Sequence, residues 1–301
     1  MPYTRTVLLL ALCAVLAGCG AAASTGGSSG KLQVVAAENF WGSIASQLGG
    51  ERVHVTSIIT NPASDPHDYE PTPRDARTLA GARVAIVNGI GYDPWSSKLL
   101  SANPVEGRDV LTVGDVVGIK PGGNPHRWYS PPNVQQVIDA ITASYKKLDP
   151  KDAAYFDSQR MRFETRGLAR YKRLIAAIKS RYAGVPVGAS ESIFEPLAES
   201  LGLKLLTPPG FMNAVSEGTD PTAADKLTVD RQITQRQIKV WVYNSQNATP
   251  DVKRLTEEAR AHGVPVDTVT ETLTPASASF QDWQSRELQA LARALAAATG
   301  H

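Results

Sequence analysis

The chain has 301 residues, with 31 Lys and Arg against 29 Asp and Glu, and a formal charge of +2 at pH 7. A nearly neutral chain without a long basic run gives no electrostatic reason to expect a nucleic-acid partner. The chain has two cysteines, and Cys13 lies in an apolar leader that we expect to be removed. We expect the other cysteine, Cys19, to be blocked by a lipid. The mature chain then has neither a cysteine pair for a disulfide nor a free thiolate, so any metal site must use imidazole and oxygen ligands.

The first 30 residues predict export to the outside of a bacterial membrane. A positive charge precedes the apolar run 7–16, which is too short to cross about 30 Å of hydrocarbon and fits a signal peptide over residues 1–18. The segment Leu16–Cys19 resembles the lipoprotein signal, in which Cys19 becomes the lipidated first residue. An ordinary cleavable signal followed by a free thiol is the alternative. Residues 19–30, rich in Gly, Ala and Ser, then form a flexible tether.

Short β-rich runs alternate with helical patterns from residue 31 onward, which is typical of parallel sheets covered by helices. Residues 31–149 form the first predicted lobe. Its strands are predicted at Leu32–Ala36, Arg52–Ile59, Arg83–Asn88 and Val110–Val113. Its helices are predicted at Phe40–Leu48, Thr72–Ala80, Asp93–Leu100 and Asn133–Leu148.

Residues 150–182 predict one long helix, because apolar residues recur there at helical spacing. Thirty helical residues extend over roughly 45 Å, which could join two lobes; a bundle helix without a bridging role is the alternative. Residues 183–301 form the second predicted lobe, in which we expect Ser190 to cap a helix over Glu191–Ser200. The other elements of this lobe are strands at Val185–Ala189, Lys239–Tyr243 and Val264–Val269, and helices at Pro250–His262 and Gln281–Ala297.

Two similar loops place a histidine between prolines and beside an aromatic residue. They are Asp65–Pro71, which contains His67, and Asn124–Pro131, which contains His126. Proline fixes its own φ and restricts the residue before it, so each imidazole is held in one orientation before a ligand arrives. Either loop alone could be a surface turn, but two copies indicate a preformed metal site.

These loops, together with Ser190–Phe194 and Thr270–Leu273, resemble the metal-binding lipoproteins of manganese and zinc ABC importers, the cluster A-I solute-binding proteins. The resemblance extends over essentially the whole mature chain. It implies an α/β fold of two lobes, each with a mainly parallel sheet flanked by helices, joined by one long rigid helix. It also implies one divalent metal ion bound between the lobes by four side chains.

The resemblance assigns the four ligand positions to His67, His126, Glu191 and Glu271. Glu191 could instead be an acid that stabilises a helix N-terminus. The family usually has aspartate at the position of Glu271, so Asp267 remains a competitor for this role.

Two imidazoles and two carboxylates form a borderline-to-hard ligand set, which suits Mn²⁺, with Fe²⁺ compatible and Zn²⁺ as the second choice. The segment Arg108–Gly123 also lacks the histidine run of many zinc-dedicated relatives. Binding strength alone favours zinc over manganese, so selection would depend on geometry, coordination number or availability.

The family resemblance implies capture of the cation outside the membrane and delivery to an ABC permease with its cytoplasmic ATPase. We expect a monomer that catalyses no reaction. The competing class is an enzyme, because two histidines and one carboxylate also describe the facial triad of non-haem iron oxygenases. A fourth ligand would occupy the position that such catalysis needs open. A surface adhesin would fit the lipid anchor but would not explain the ligand spacing.

Imidazole ligation predicts a pH-dependent affinity for the metal. A histidine must lose its proton before it binds a cation, so affinity should weaken as pH falls through about 6.5. Titration of the metal-free protein with Mn²⁺ or Zn²⁺ between pH 5 and 8 measures this dependence. A flat profile across that range would count against histidine ligands.

Overall fold

The computed structural model describes residues 30–300, except residues 63, 65 and 68. The predicted signal peptide, Cys19 and all of the tether but Gly30 lie outside the described residues. Within the described residues, no helix is both long and apolar enough to span a bilayer.

The first sheet has four parallel strands in the order β2-β1-β3-β4. The strands are β1 Leu32–Glu38, β2 Val53–Ile59, β3 Val84–Val87 and β4 Asp109–Thr112. All four residues of β3 are buried, because helices cover both faces of a parallel sheet. The helices of this half are α1 Asn39–Gly49, α2 Pro73–Ala80, α3 Pro94–Ala102, α4 Val113–Val117 and α5 Pro131–Leu148.

The second sheet has the same topology, with parallel strands in the order β6-β5-β7-β8. Its strands are β5 Pro186–Ala189, β6 Lys204–Leu205, β7 Val240–Asn244 and β8 Val266–Val269. Its helices are α8 Glu195–Leu201, α9 Pro209–Ser216, α10 Ala223–Thr234, α11 Pro250–Ala261 and α12 Phe280–Thr299. Most of helix α9 and the start of α10 lie in a part of the chain, Phe211–Asp225, for which the sequence predicts no element.

The segment between the two sheets is helical but is not one uniform α-helix. It consists of α6 Ala153–Arg162, a π-helical turn at Phe163–Gly167 and α7 Ala169–Tyr182. Such a turn accommodates one extra residue in a helix. Helix α6 packs on α1 and α5, whereas α7 packs on α8 and α12. The linking segment therefore contacts helices of both halves, as a connector between lobes would.

The predicted N-cap at Ser190 is wrong. Glu191 is extended, a 3₁₀ turn follows at Ser192–Phe194, and α8 begins only at Glu195. The hydroxyl of Ser190 instead accepts a hydrogen bond from the backbone N–H of Asn244, 3.1 Å away at the end of β7. Because α8 begins only at Glu195, Glu191 lies just beyond the end of β5 and outside any helix.

The two halves are joined by a shared apolar core and by direct contacts between α1 and α12. The ring of Phe40 stacks on Trp128 with centroids 4.2 Å apart and also lies beside Trp283 of α12. The hydroxyl of Ser43 accepts a hydrogen bond from the backbone N–H of Phe280 at 2.9 Å. These contacts fix the carboxyl ends of the two sheets relative to each other.

A buried pair of acids lies at the end of β1. Glu38 is fully buried, and burial together with the charge of Asp93 raises the pKa of its carboxyl well above the usual value. The carboxylate of Asp93 accepts backbone hydrogen bonds from Asn88 and Gly89 at 2.9 and 2.7 Å. Because Asp93 has these donors, Glu38 is the member of the pair that retains a proton.

Glu38 should make the stability of the metal-free protein depend on pH. Glutamate in an unfolded chain has a pKa near 4.3, and the pKa of Glu38 in the folded protein is higher. Its contribution to the free energy of unfolding is therefore complete below about pH 4 and is lost as pH rises toward the pKa of the folded state. Glu38→Gln preserves the shape but cannot ionise. Between pH 5 and 8, its melting temperature should therefore fall less than that of the parent. If the melting temperatures of parent and variant fall by the same amount between pH 5 and 8, Glu38 is not the group that retains a proton.

Candidate metal site

The four predicted ligands all follow the carboxyl ends of parallel strands. His67 lies in the loop after β2, His126 in the loop between α4 and α5, Glu191 directly after β5 and Glu271 shortly after β8. Loops at this edge of a parallel sheet commonly form binding sites, because the strand ends bring their side chains together. Here the edges of two sheets supply residues to the same region.

His126, Glu191 and Glu271 form one buried group. Each offers a ligand atom, and these atoms all lie within 4.8 Å of one another. Nε2 of His126 is 3.7 Å from Oε2 of Glu271. One side chain comes from the first half of the chain and two come from the second.

His67 lies next to this group but is not a member of it. Its ring centroid is 6.3 Å from that of His126 and 4.7 Å from that of Tyr92. His67 is half-buried and, with His126, lines a cavity of about 360 Å³ whose other walls include Asn124, Ser192 and Asn213. His67 and His126 therefore both face this cavity.

Asn124 fixes the orientation of the His126 ring. Its Oδ1 accepts a hydrogen bond from the backbone N–H of His126 at 3.0 Å and lies 2.9 Å from Nδ1. An amide oxygen only accepts, so Nδ1 has the proton and Nε2 has the free lone pair. Within the described part of the chain, this buried Nε2 has no hydrogen-bond partner. A metal ligand needs an imidazole nitrogen in this state.

Burial also keeps His126 neutral. It lowers the pKa of the His126 imidazole well below the usual 6.5, and the charges of His67 and Arg127 lower it further. Any loss of metal affinity through protonation of His126 should therefore lie below the pH of about 6.5 that is expected for an ordinary histidine.

Asn244 joins the two carboxylates. Its Nδ2 donates to Oε1 of Glu191 at 2.9 Å and to Oε1 of Glu271 at 2.8 Å. The other oxygen of Glu191 accepts from Asn247 and that of Glu271 from Tyr92, each at 2.8 Å. Two buried carboxylates repel each other, and these neutral donors offset part of the cost of placing them together.

The sequence predicts no role at this site for Asn244, Asn247 or Tyr92. One signal was available for Asn244, a polar residue that ends the buried strand β7 at the sheet edge that also presents Glu191 and Glu271. Asn247 and Tyr92 lie in loops, and their spacing along the chain does not show that they reach the carboxylates.

Asp267 lies elsewhere. It belongs to β8 itself, and burial raises its pKa to about 7 while the charge of Arg293 on α12 partly opposes the rise. Among the described residues, Asp267 is not in the group of potential ligands. The geometry thus favours Glu271 over Asp267 as the acid at this site.

Two curated relatives are named for manganese. MntA of Halalkalibacterium halodurans, a manganese-binding lipoprotein, is 29% identical over 160 residues, which cover 51% of this chain and 52% of MntA. The chain therefore matches about half the length of that relative. PsaA of Streptococcus pneumoniae, a manganese ABC transporter substrate-binding lipoprotein, is 24% identical over 266 residues, covering 81% of this chain and 82% of PsaA.

A solved structure confirms the predicted fold class. The periplasmic zinc-binding protein TroA of Treponema pallidum matches with a TM-score of 0.73 and 17% identity, covering 88% of this chain and 99% of TroA. The family model described as "Zinc-uptake complex component A periplasmic" matches residues 34–294. The resemblance to metal-binding lipoproteins of ABC importers is thereby confirmed, and the chain belongs to this family of solute-binding components of metal transporters.

Proposed function

We propose that the protein captures one divalent transition-metal cation outside the cytoplasm and delivers it to an ABC permease driven by its ATPase. The proposed ligands are His67, His126, Glu191 and Glu271. The observation that carries this proposal is the buried group of one imidazole and two carboxylates, in which Nε2 of His126 lies 3.7 Å from Oε2 of Glu271. The lipid on Cys19 would hold a monomer at the membrane surface.

The dimensions of the group suit a single ion. Ligand atoms about 2.1 Å from one ion lie about 3.4 Å apart when they are placed tetrahedrally. The three buried ligand atoms lie within 4.8 Å of one another, so a contraction of at most about 1.4 Å per pair would bring them into coordination. We propose that His67 becomes the fourth ligand by rotating its half-buried side chain toward the ion, which closes the site on its open side.

Manganese is the favoured cargo. Two carboxylates make the ligand set harder than a site with three imidazoles would be, and hard oxygen ligands suit Mn²⁺. Zinc is the second candidate, because the family is named for zinc uptake and Zn²⁺ binds N and O ligands more strongly than Mn²⁺. Fe²⁺ is also compatible. Elemental analysis of protein purified from its native membrane would identify the cargo, whereas recombinant protein could scavenge zinc.

We propose that the cation is cargo and not a catalyst. The family consists of solute-binding components of transporters. A facial-triad oxygenase binds its iron with two histidines and one carboxylate and leaves positions open for oxygen. In this protein both Glu191 and Glu271 belong to the buried group. The second carboxylate would therefore fill a position that an oxygenase keeps open.

Loss of His67 should weaken metal binding. A ligand that binds only the folded state stabilises it by about 2.7 kcal/mol at a concentration near 100 times its Kd. We expect Mn²⁺ and Zn²⁺ to raise the melting temperature of the parent protein. In His67→Ala, Kd should rise at least about tenfold, since loss of an outer-shell partner alone typically costs 10–100-fold. Calorimetric titration and thermal melts measure both effects.

The matched control for His67→Ala is His54→Ala. His54 is an exposed residue of β2 and is not in the group of potential ligands among the described residues. Its variant should bind and melt like the parent. If His67→Ala also titrates and melts like the parent, His67 is not a ligand.

A further inference from the structure

A cluster of hydrogen bonds near the candidate ligands is centred on the carboxyl group of Glu287 on α12. Oε1 of Glu287 accepts hydrogen bonds from Nε1 of Trp283 at 2.9 Å and from the backbone N–H and hydroxyl of Thr270 at 3.1 and 3.0 Å. Oε2 accepts from the hydroxyl of Tyr129 at 2.6 Å. The four donors use both oxygens of a single side chain.

The residues that Glu287 joins are the immediate neighbours of two proposed ligands. Thr270 directly precedes Glu271 in the second half of the chain. Tyr129 lies three residues after His126, and its backbone N–H donates to the carbonyl of His126 at 3.2 Å. The hydroxyl of Tyr129 also lies 3.0 Å from the carbonyl oxygen of Thr270. One carboxylate thus ties together the two backbone segments that present His126 and Glu271.

This link differs from the other contacts between the halves at the site. Tyr92 reaches across to the Glu271 carboxylate itself, and Asn124 contacts both His126 and the carbonyl of Ser192. Glu287 touches neither ligand side chain in these contacts and acts only through Thr270 and Tyr129. Burial raises the pKa of the Glu287 carboxyl group to about 8, so the link depends on the number and placement of its hydrogen bonds and not on a full negative charge. These hydrogen bonds resist separation of the two segments.

We propose that Glu287 is a positioning residue for metal binding. Its carboxylate holds the His126 segment against the Glu271 segment and thereby keeps Nε2 and Oε2 at their short separation before the cation arrives. Without it, the site would have to bring the two ligands together during binding, and that cost would appear as weaker affinity and faster release. This inference rests on the proposed function, because it presumes that these ligands bind a metal.

Two variants test the link from its two ends. Glu287→Gln preserves size but replaces one oxygen with an NH₂ group that cannot accept a hydrogen bond, and Tyr129→Phe removes only the hydroxyl. We expect each to raise Kd for Mn²⁺ about tenfold, at the low end of the range for outer-shell partners. The double variant should lose little more than either single variant, because both remove the same contact.

The matched controls are Tyr145→Phe and Glu38→Gln. Tyr145 is a fully buried tyrosine whose hydroxyl donates to the carbonyl of Ala45 at 3.1 Å, and Glu38 is a buried acid at the end of β1. Tyr145→Phe should lose stability and Glu38→Gln should change the pH dependence of the melting temperature, while both retain the parent Kd. The visible absorption of bound Co²⁺, which reports ligand geometry, should change in Glu287→Gln and Tyr129→Phe but not in the controls.

The outcomes separate the two proposals. If the parent binds no Mn²⁺, Co²⁺ or Zn²⁺, the proposed function fails. If the parent binds but both Glu287→Gln and Tyr129→Phe keep its Kd, release rate and Co²⁺ spectrum, only the positioning role fails. It also fails if their affinity falls no more than that of controls with equal loss of melting temperature. If Glu287→Gln does not fold, Tyr129→Phe decides the question alone.

Discussion

The candidate metal site is organised around two buried carboxyl groups that lie side by side. Glu191 and Glu271 are 1% and 6% exposed, and both accept a hydrogen bond from the same amide group of Asn244. Two ionised carboxylates in this position would repel each other strongly and lack their hydration. Neutral donors would lower this cost but would not cancel the charge. A bound divalent cation would balance the two negative charges while the imidazoles remain neutral.

The fold brings these groups together through the direction of its strands. Each sheet is parallel, so three of the proposed ligands, His67, Glu191 and Glu271, follow strands at the carboxyl edges, and His126 lies in the loop after α4. The two edges are held in place by the packing of α1 on α12 and by the linking segment, which contacts helices of both halves. Glu287 adds a direct bond between the segments next to His126 and Glu271. The positions of the proposed ligands are therefore fixed both by neighbouring residues, such as Asn124 beside His126, and by the packing of helices farther from the site.

Much of this arrangement was accessible from the sequence, for identifiable reasons. Alternating β-rich and helical runs gave the fold class, because periodicity reports which faces are buried. Proline-bracketed loops drew attention to His67 and His126, and the family resemblance added Glu191 and Glu271. The error at Ser190 arose because a serine before an acidic, apolar run satisfies the pattern of an N-cap. In the structure its hydroxyl is used by the backbone of β7 instead.

The supporting polar groups were not accessible in the same way. Asn244 contacts Glu191 across 53 positions of the sequence, and Tyr129 contacts Glu287 across 158. No local pattern encodes such pairs, since each depends on how the two halves pack. The interruption of the linking helix at Phe163–Gly167 was hidden for a related reason, because one extra residue in a helical turn barely changes the apolar periodicity.

The proposed binding of one cation by these four side chains can be tested in crystals grown with Mn²⁺ and measured at an energy where manganese scatters anomalously. We expect one strong anomalous peak about 2.2 Å from Nε2 of His126, from a ring nitrogen of His67 and from an oxygen of both Glu191 and Glu271. A peak at another place, or saturating Mn²⁺ with no peak between these four side chains, would contradict it.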